Sequence, residues 1–119
     1  MKTNTILDNL TTTIICDIDG CILTHDGFKL GDINTPLLPG VSEQFNLWKS
    51  QNAYIVLITA RSESLRQITR NQLCKYSIPY DVLIMGVGSG IRILINDLKP
   101  YSTEDTAIAI NLERDKGFV

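Results

Sequence analysis

The stretch Ile14-Ile15-Cys16-Asp17-Ile18-Asp19-Gly20 decides how this chain is read. A short β-branched run ends in two carboxylates one residue apart, then a glycine. Three more runs share its composition, at 54–58, 82–85 and 91–95, and 107–110 is a weaker fifth. None alternates with polar residues, which suits strands covered on both faces. Between them lie two helical stripes. Val41, Phe45 and Trp48 follow a Pro39-Gly40 break, and Leu65, Ile68, Leu73 and Tyr76 end before Pro79. Both stripes read as core faces. The alternation of strand and helix predicts an α/β, Rossmann-like domain with a mostly parallel sheet of about five strands and flanking helices.

One connection fits that plan badly. Only five residues, 86–90, separate the third run from the fourth. A parallel crossover takes about a dozen or more. Run three is therefore a short edge strand, antiparallel in one reading, or the link is an extended traverse. Two helices are also too few to cover both faces of such a sheet. Part of one face is expected to be covered by another subunit, so the chain is expected to be a homo-oligomer.

Composition narrows the function classes. The chain has 119 residues, 44% of them hydrophobic, with 11 basic and 13 acidic side chains and a formal charge of −2. That length is one domain, 1–119, able to bury its own core. The charge gives no broad attraction to nucleic acid or anionic lipid. Cys16, Cys21 and Cys74 match no CxxC zinc pattern and no disulfide framework. Residues 1–10 lack the apolar core of a secretory signal, and no apolar run reaches the ~18 residues of a membrane span. The expectation is a cytoplasmic protein that does not contact membranes.

Ligands of open α/β sheets bind outside the carboxyl ends of the strands. The runs there end in Asp17-Ile18-Asp19-Gly20, in Thr59-Ala60-Arg61-Ser62 and in Asn96-Asp97-Leu98-Lys99. Each stretch alone reads as a turn or helix cap, and Ser62 suits the N-cap of the second helix. Together they place three carboxylates, a hydroxyl and two cations on one edge. Closely spaced carboxylates need a cation or a shared proton. An all-oxygen donor set favours Mg²⁺. His25 finds no zinc partners and reads as a loop residue. A carboxylate facing phosphate can act as a nucleophile, with Thr59 and free N–H groups after Arg61 on the anion.

The residues then match a known pattern. Asp17-Ile18-Asp19-Gly20-Cys21-Ile22-Leu23 resembles the DxDGxxL signature of the haloacid dehalogenase (HAD) superfamily of phosphohydrolases. Ile58-Thr59-Ala60-Arg61 resembles its second motif and Leu94-Ile95-Asn96-Asp97 its fourth. The spacing leaves no room for a cap domain. The chain looks like small cap-less members from capsule and surface-polysaccharide loci, and like the phosphatase domain of polynucleotide kinase-phosphatases.

The resemblance implies roles. Asp17 is the nucleophile, forming an aspartyl phosphate. Asp19 is the general acid and then the base, and it also contributes to Mg²⁺ binding. A nearby negative charge would help Asp19 hold the proton this role needs. Thr59 holds the phosphoryl group, with Ala60, Arg61 and Gly20 around the phosphate. Asp97 is a metal ligand, assisted by Asn96. Residues 20–30 form a small flap with Gly27 at a turn. The substrate is a small-molecule phosphate ester: a sugar phosphate first, a terminal phosphate on a nucleic acid second.

The family's third motif, a Lys or Arg before the fourth, has no match at 86–90. Arg92 would begin a strand that Asp97 ends, about 17 Å away at ~3.3 Å per residue. Lys99 lies past that strand end and is favoured as the cation; Arg61 shares the edge.

Two other classes compete. One is a phospho-accepting, receiver-like signalling module, disfavoured because the middle strand ends in Thr59-Ala60-Arg61 rather than in an acid. The other is a catalytically inactive HAD-fold binding subunit. The glycines of 86–90 read as a flexible connector, Cys16 and Trp48 as core, and Glu104, Asp105, Glu113 and Asp115 as a solvated face.

Overall fold

Three of the five β-branched runs become strands. The computed structural model describes residues 11–25, 31–101 and 103–118. Within them, β1 (Thr13–Asp17) leads to α1 (Val41–Ser50), β2 (Tyr54–Ile58), a 3₁₀ turn (Glu63–Leu65), α2 (Arg66–Lys75) and β3 (Val82–Ile84). The sheet order is β1-β2-β3 and both pairings are parallel. Run three is thus a short edge strand, parallel rather than antiparallel. Its register sets Ile58 opposite both Asp17 and Ile84. Asp17, Thr59 and Gly86 consequently stand along one edge of the sheet.

α1 starts where Pro39-Gly40 breaks the chain. Gly40 adopts φ +76° as the N-cap, and Glu43 and Lys49 sit at the ends that the helix dipole favours. Val41, Phe45 and Trp48 are buried together, as their spacing predicts. The chain's return packs on them: the Phe118 ring meets Phe45 and Trp48 edge-on at 6.0 and 5.7 Å. Ser62 caps the 3₁₀ turn that opens the second helical segment, accepting from Ser64 N–H.

The second stripe is rotated from its predicted face. Thr69, Gln72 and Leu73 are buried on α2, whereas Ile68 is exposed. The polar pair goes inward because a buried arginine, described below, needs acceptors.

The fourth and fifth runs are not strands. Residues 91–98 and 107–112 carry no regular structure, and Ile91, Ile93 and Ile95 are 94%, 81% and 88% exposed. The short 86–90 connector accounts for this. It cannot carry the chain back across the sheet for another parallel strand. The five-strand expectation therefore reduces to three strands among the described residues.

Among the described residues the sheet is covered by helices on one face only. Ile14, Cys16, Ile55, Leu57 and Leu83 point into the core. The alternate residues Ile15, Tyr54 and Ile84 are 48%, 46% and 42% exposed. Of the flap, 20–25 is described, and the turn assigned to Gly27 lies outside the described residues. Among the described residues no helix is long and apolar enough to cross a membrane.

Candidate active site

The carboxyl edge of the sheet gathers the first two motifs. Asp17 closes β1. Gly20 then turns the chain at φ +88°, and the Ile18 carbonyl accepts from the N–H groups of Cys21, Ile22 and Leu23. This tight loop places two carboxylates at the rim, and their surroundings differ sharply.

Asp19 is held by Arg61. Arg61 Nε donates to Asp19 Oδ2 at 2.9 Å, and Nη2 donates to Oδ1 at 2.7 Å. The guanidinium is itself buried, and its Nη1 donates to Thr69 Oγ1 at 2.9 Å and to Gln72 Oε1 at 2.6 Å. Gln72 in turn donates to the Asp32 carbonyl. A two-pronged fork of this kind fixes orientation as well as charge. Arg61 is therefore not a free phosphate cation at the edge, as the sequence suggested. The charge beside Asp19 is a cation and not only a second carboxylate. Thr69 and Gln72 escaped the sequence reading. Their signal was polar residues at α2 positions three apart, downstream of a basic residue in the second motif.

Asp17 is held loosely. Its Oδ1 accepts from the Ile18 N–H at 2.9 Å, and its Oδ2 lies 3.4 Å from Arg92 Nη1, with both side chains about one-third exposed. This corrects the placement of Arg92. The 17 Å separation required residues 91–95 to be a strand, and the irregular chain instead bends the guanidinium back over β1. Lys99, the favoured cation, lies 3.9 Å from Asp97 in an exposed pair.

Thr59 is buried at 1% exposure, and its Oγ1 accepts from the Arg61 N–H at 3.1 Å, which leaves the hydroxyl proton to donate. Ala60 is exposed beside it. The Thr59 and Arg61 carbonyls accept from Val87 and Gly86 N–H, so the connector is fastened at its start. Asn96 donates to the Thr106 carbonyl, and Thr106 Oγ1 donates to the Asp97 carbonyl. The fourth motif is thus occupied within its own loop. Asp115, expected on a solvated face, is an anchor. It accepts from the His25 N–H at 2.8 Å, and its own N–H donates to the Gly20 carbonyl.

The donor set does not match the implied Mg²⁺. Among the described residues no group of three or more His, Cys, Asp or Glu side chains could hold a metal ion. Both Asp19 oxygens serve Arg61, and Asp97 stays with the loop that carries it. Placed this way, the residues do not form a metal cradle. The two thiols beside the rim hold their protons tightly. Burial, above all, pushes the Cys16 thiol far up, and burial followed by the Asp17 charge pushes Cys21 up to about 11, with Arg92 opposing.

Solved structures share this fold. A chain of the Pnkp1/Rnl/Hen1 complex aligns with a TM-score of 0.56 at 26% identity, covering 72% of this chain and 32% of that one. A chain of the Pnkp1/Rnl/Hen1 RNA repair complex aligns at 0.56 and 25%, covering 81% and 29%. The likeness supports the haloacid dehalogenase fold. A structural-genomics target from Vibrio cholerae aligns at 0.55 and 21% identity, covering 70% of this chain and 79% of that one, and shares the fold. This chain spans about a third of the length of the repair-complex chains it matches. No family model and no curated protein matches it.

Proposed function

We propose that this chain is a phosphohydrolase in which Asp17 attacks the phosphorus of a phosphate monoester. The unequal holding of the two rim carboxylates is what supports it. Asp19 is immobilised by a buried arginine. Asp17 keeps an oxygen at the surface beside a cation. The strand end thus presents one carboxylate held rigidly by a cation and one accessible carboxylate, and the accessible one suits nucleophilic attack.

In this reading an Asp17 oxygen forms the bond to phosphorus as the ester oxygen departs. Asp19 gives that oxygen its proton, a role that requires one Asp19 oxygen to leave the Arg61 fork. It then takes a proton from the water that cleaves the aspartyl phosphate, releasing inorganic phosphate and restoring Asp17. Arg61 is the positioning residue for Asp19. Arg92 takes the charge-neutralising role first given to Lys99, because it faces Asp17. Thr59 donates its hydroxyl to a phosphoryl oxygen, and the backbone at Gly20 and Ala60 borders the phosphate. Magnesium would require Asp97 and Asn96 to leave their loop, and no step here runs through it.

A sugar phosphate is the first substrate reading. A terminal phosphate on a polynucleotide is the second, and it gains support from the match to chains of an RNA repair complex. The test is turnover of an aryl phosphate, a sugar-phosphate panel and a 3′-phosphorylated oligonucleotide, each with Mg²⁺ and with EDTA. Asp17→Asn should lower turnover about a thousandfold or more with the circular dichroism spectrum unchanged. Equal turnover by wild type and Asp17→Asn would remove Asp17 from the chemistry. Inactivity on every substrate would favour the binding-subunit reading.

A further inference from the structure

When one Asp19 oxygen leaves the fork to carry a proton, the other keeps its partner only if Arg61 stays in place. The chain holds Arg61 from several sides. Its backbone N–H donates to Thr59 Oγ1, and its carbonyl accepts from the Gly86 N–H. Its side chain works in two directions: Nε and Nη2 serve Asp19, and Nη1 serves Thr69 and Gln72 on α2. Only 1% of the Arg61 side chain is exposed, against 16% for Asp19. The cation is locked inside while its carboxylate reaches the rim.

The two α2 residues suit this hold by their chemistry. Thr69 and Gln72 lie one turn apart on the buried face of the helix, where apolar side chains are the rule. Both present neutral oxygens. They fix Nη1 without competing, as a carboxylate would, for the positive charge that Asp19 uses. Gln72 cannot turn its amide over. Oε1 accepts from Arg61, while Nε2 donates to the Asp32 carbonyl at 2.7 Å and to Thr35 Oγ1 at 3.4 Å. The same segment is bolted to α2 twice more. Lys75 Nζ donates to the Ile33 carbonyl at 2.8 Å, and the Tyr76 hydroxyl donates to the Thr35 carbonyl at 2.7 Å. A continuous run of contacts thus joins the rim to a helix that is itself held still.

We propose that Thr69 and Gln72 are positioning residues for proton transfer by Asp19, a role that rests on the phosphohydrolase reading above. Asp19 enters the step with a proton on Oδ1, which has left Nη2, while Oδ2 stays on Nε. The bond between phosphorus and the ester oxygen breaks, and the proton passes from Oδ1 to that oxygen. The electron pair of the O–H bond remains on Asp19. Nη2 closes again on the carboxylate that results and stabilises its charge. That closure needs a guanidinium that has not moved, and the two acceptors on Nη1 keep it from moving. When water cleaves the aspartyl phosphate, Asp19 takes a proton back and the fork opens again. Both α2 residues are buried, so they act through Arg61 and not on the substrate.

The leaving group separates this role from a merely structural one. A proton from Asp19 matters for a strongly basic leaving oxygen and little for a weakly basic one. Phenyl phosphate and 2,4-dinitrophenyl phosphate supply the two cases. The quantity to read is the ratio of their kcat/KM values, which covers attack and departure and cancels any loss of folded protein. Asp19→Asn should lower the phenyl-to-dinitrophenyl ratio about a hundredfold or more. Thr69→Val and Gln72→Met keep the volume and remove the acceptor, and each should lower it about tenfold. Thr69→Ser keeps the hydroxyl and should stay within about twofold of wild type. A ratio unchanged in both Thr69→Val and Gln72→Met overturns the proposal, whatever their absolute rates. So does a Thr69→Ser ratio as low as that of Thr69→Val, because the methyl group and not the acceptor would then be responsible. A ratio unchanged in Asp19→Asn removes Asp19 as the acid, and the positioning role with it. A wild type that hydrolyses neither ester, by contrast, overturns the phosphohydrolase reading itself.

Discussion

Two carboxylates one residue apart, Asp17 and Asp19, belong to two different regimes of this protein. Asp19 is tied through buried Arg61 to Thr69 and Gln72, inside the packed half that runs from β1 to β3. Asp17 is tied through Arg92, about one-third exposed, to the irregular segment 88–112. The first is a network whose every polar group depends on the others. The second is a surface ion pair of the kind worth about 0–1 kcal/mol. One strand end thus joins a rigid support to an adjustable one.

The largest expected effect comes from cutting the rigid side. Arg61→Ala leaves the Asp19 carboxylate without its fork, and it leaves Thr69 Oγ1 and Gln72 Oε1 without their donor. Losing one partner of a buried ion pair costs about 3–5 kcal/mol, against a total stability of about 5–15 kcal/mol for a domain. Urea unfolding should show a free energy of unfolding lowered by that amount, with Arg92→Ala within about 1 kcal/mol of wild type. Equal losses for the two variants would erase the distinction between the two carboxylates.

A smaller contrast sits at the two ends of the irregular segment 88–112. Gly117 has φ +74°, and a Cβ there would stand 2.1 Å from the Pro39 carbonyl oxygen. Gly117→Ala must shift the backbone that seats Phe118 on α1, and strain of this kind costs about 1–3 kcal/mol. A Cβ at Gly88 meets nothing within 4 Å, so Gly88→Ala should stay within about 0.5 kcal/mol. Thermal unfolding of the pair measures whether segment 88–112 is anchored more firmly at its return than at its start. A Gly117→Ala protein as stable as Gly88→Ala would mean that the return is not fastened.

These same regions divide what the sequence could reveal. β1, β2 and α1 were legible because local pattern and burial agree: β-branched runs, a Val41, Phe45, Trp48 stripe and a Pro-Gly break. The placing of Asp17, Asp19 and Thr59 at one edge followed from where those strands end. α2 misled because Thr69 and Gln72 turn inward for a cation 8 and 11 residues upstream, a long-range need that periodicity cannot express. Residues 91–95 misled for the opposite reason. Their composition is that of a strand, but pairing depends on a connector long enough to deliver it. The short 86–90 link was visible in the sequence and was the one sign against that strand. The position of Arg92 failed with it.

The smallest expected effect reads the adjustable side directly. Cys21 sits between the two regimes, its thiol pushed up to about 11 by burial and then by the Asp17 charge, with Arg92 pulling the other way. Asp17→Asn should lower the pH at which the Cys21 thiolate forms, and Arg92→Gln should raise it. Burial remains the larger cause, so both variants should stay above an ordinary thiol. The pH dependence of iodoacetamide labelling, followed at the Cys21 peptide apart from exposed Cys74, gives the answer. The linkage has a definite sign. A thiol that holds its proton more tightly in the folded state adds stability that is fully present below about pH 9 and is lost as pH rises towards 11. The urea midpoint should therefore fall across that window, and fall less in Cys21→Ala. Labelling that responds to Asp17→Asn but not to Arg92→Gln would mean that Arg92 does not stay at the rim in solution. The charge facing Asp17 would then have to come from elsewhere.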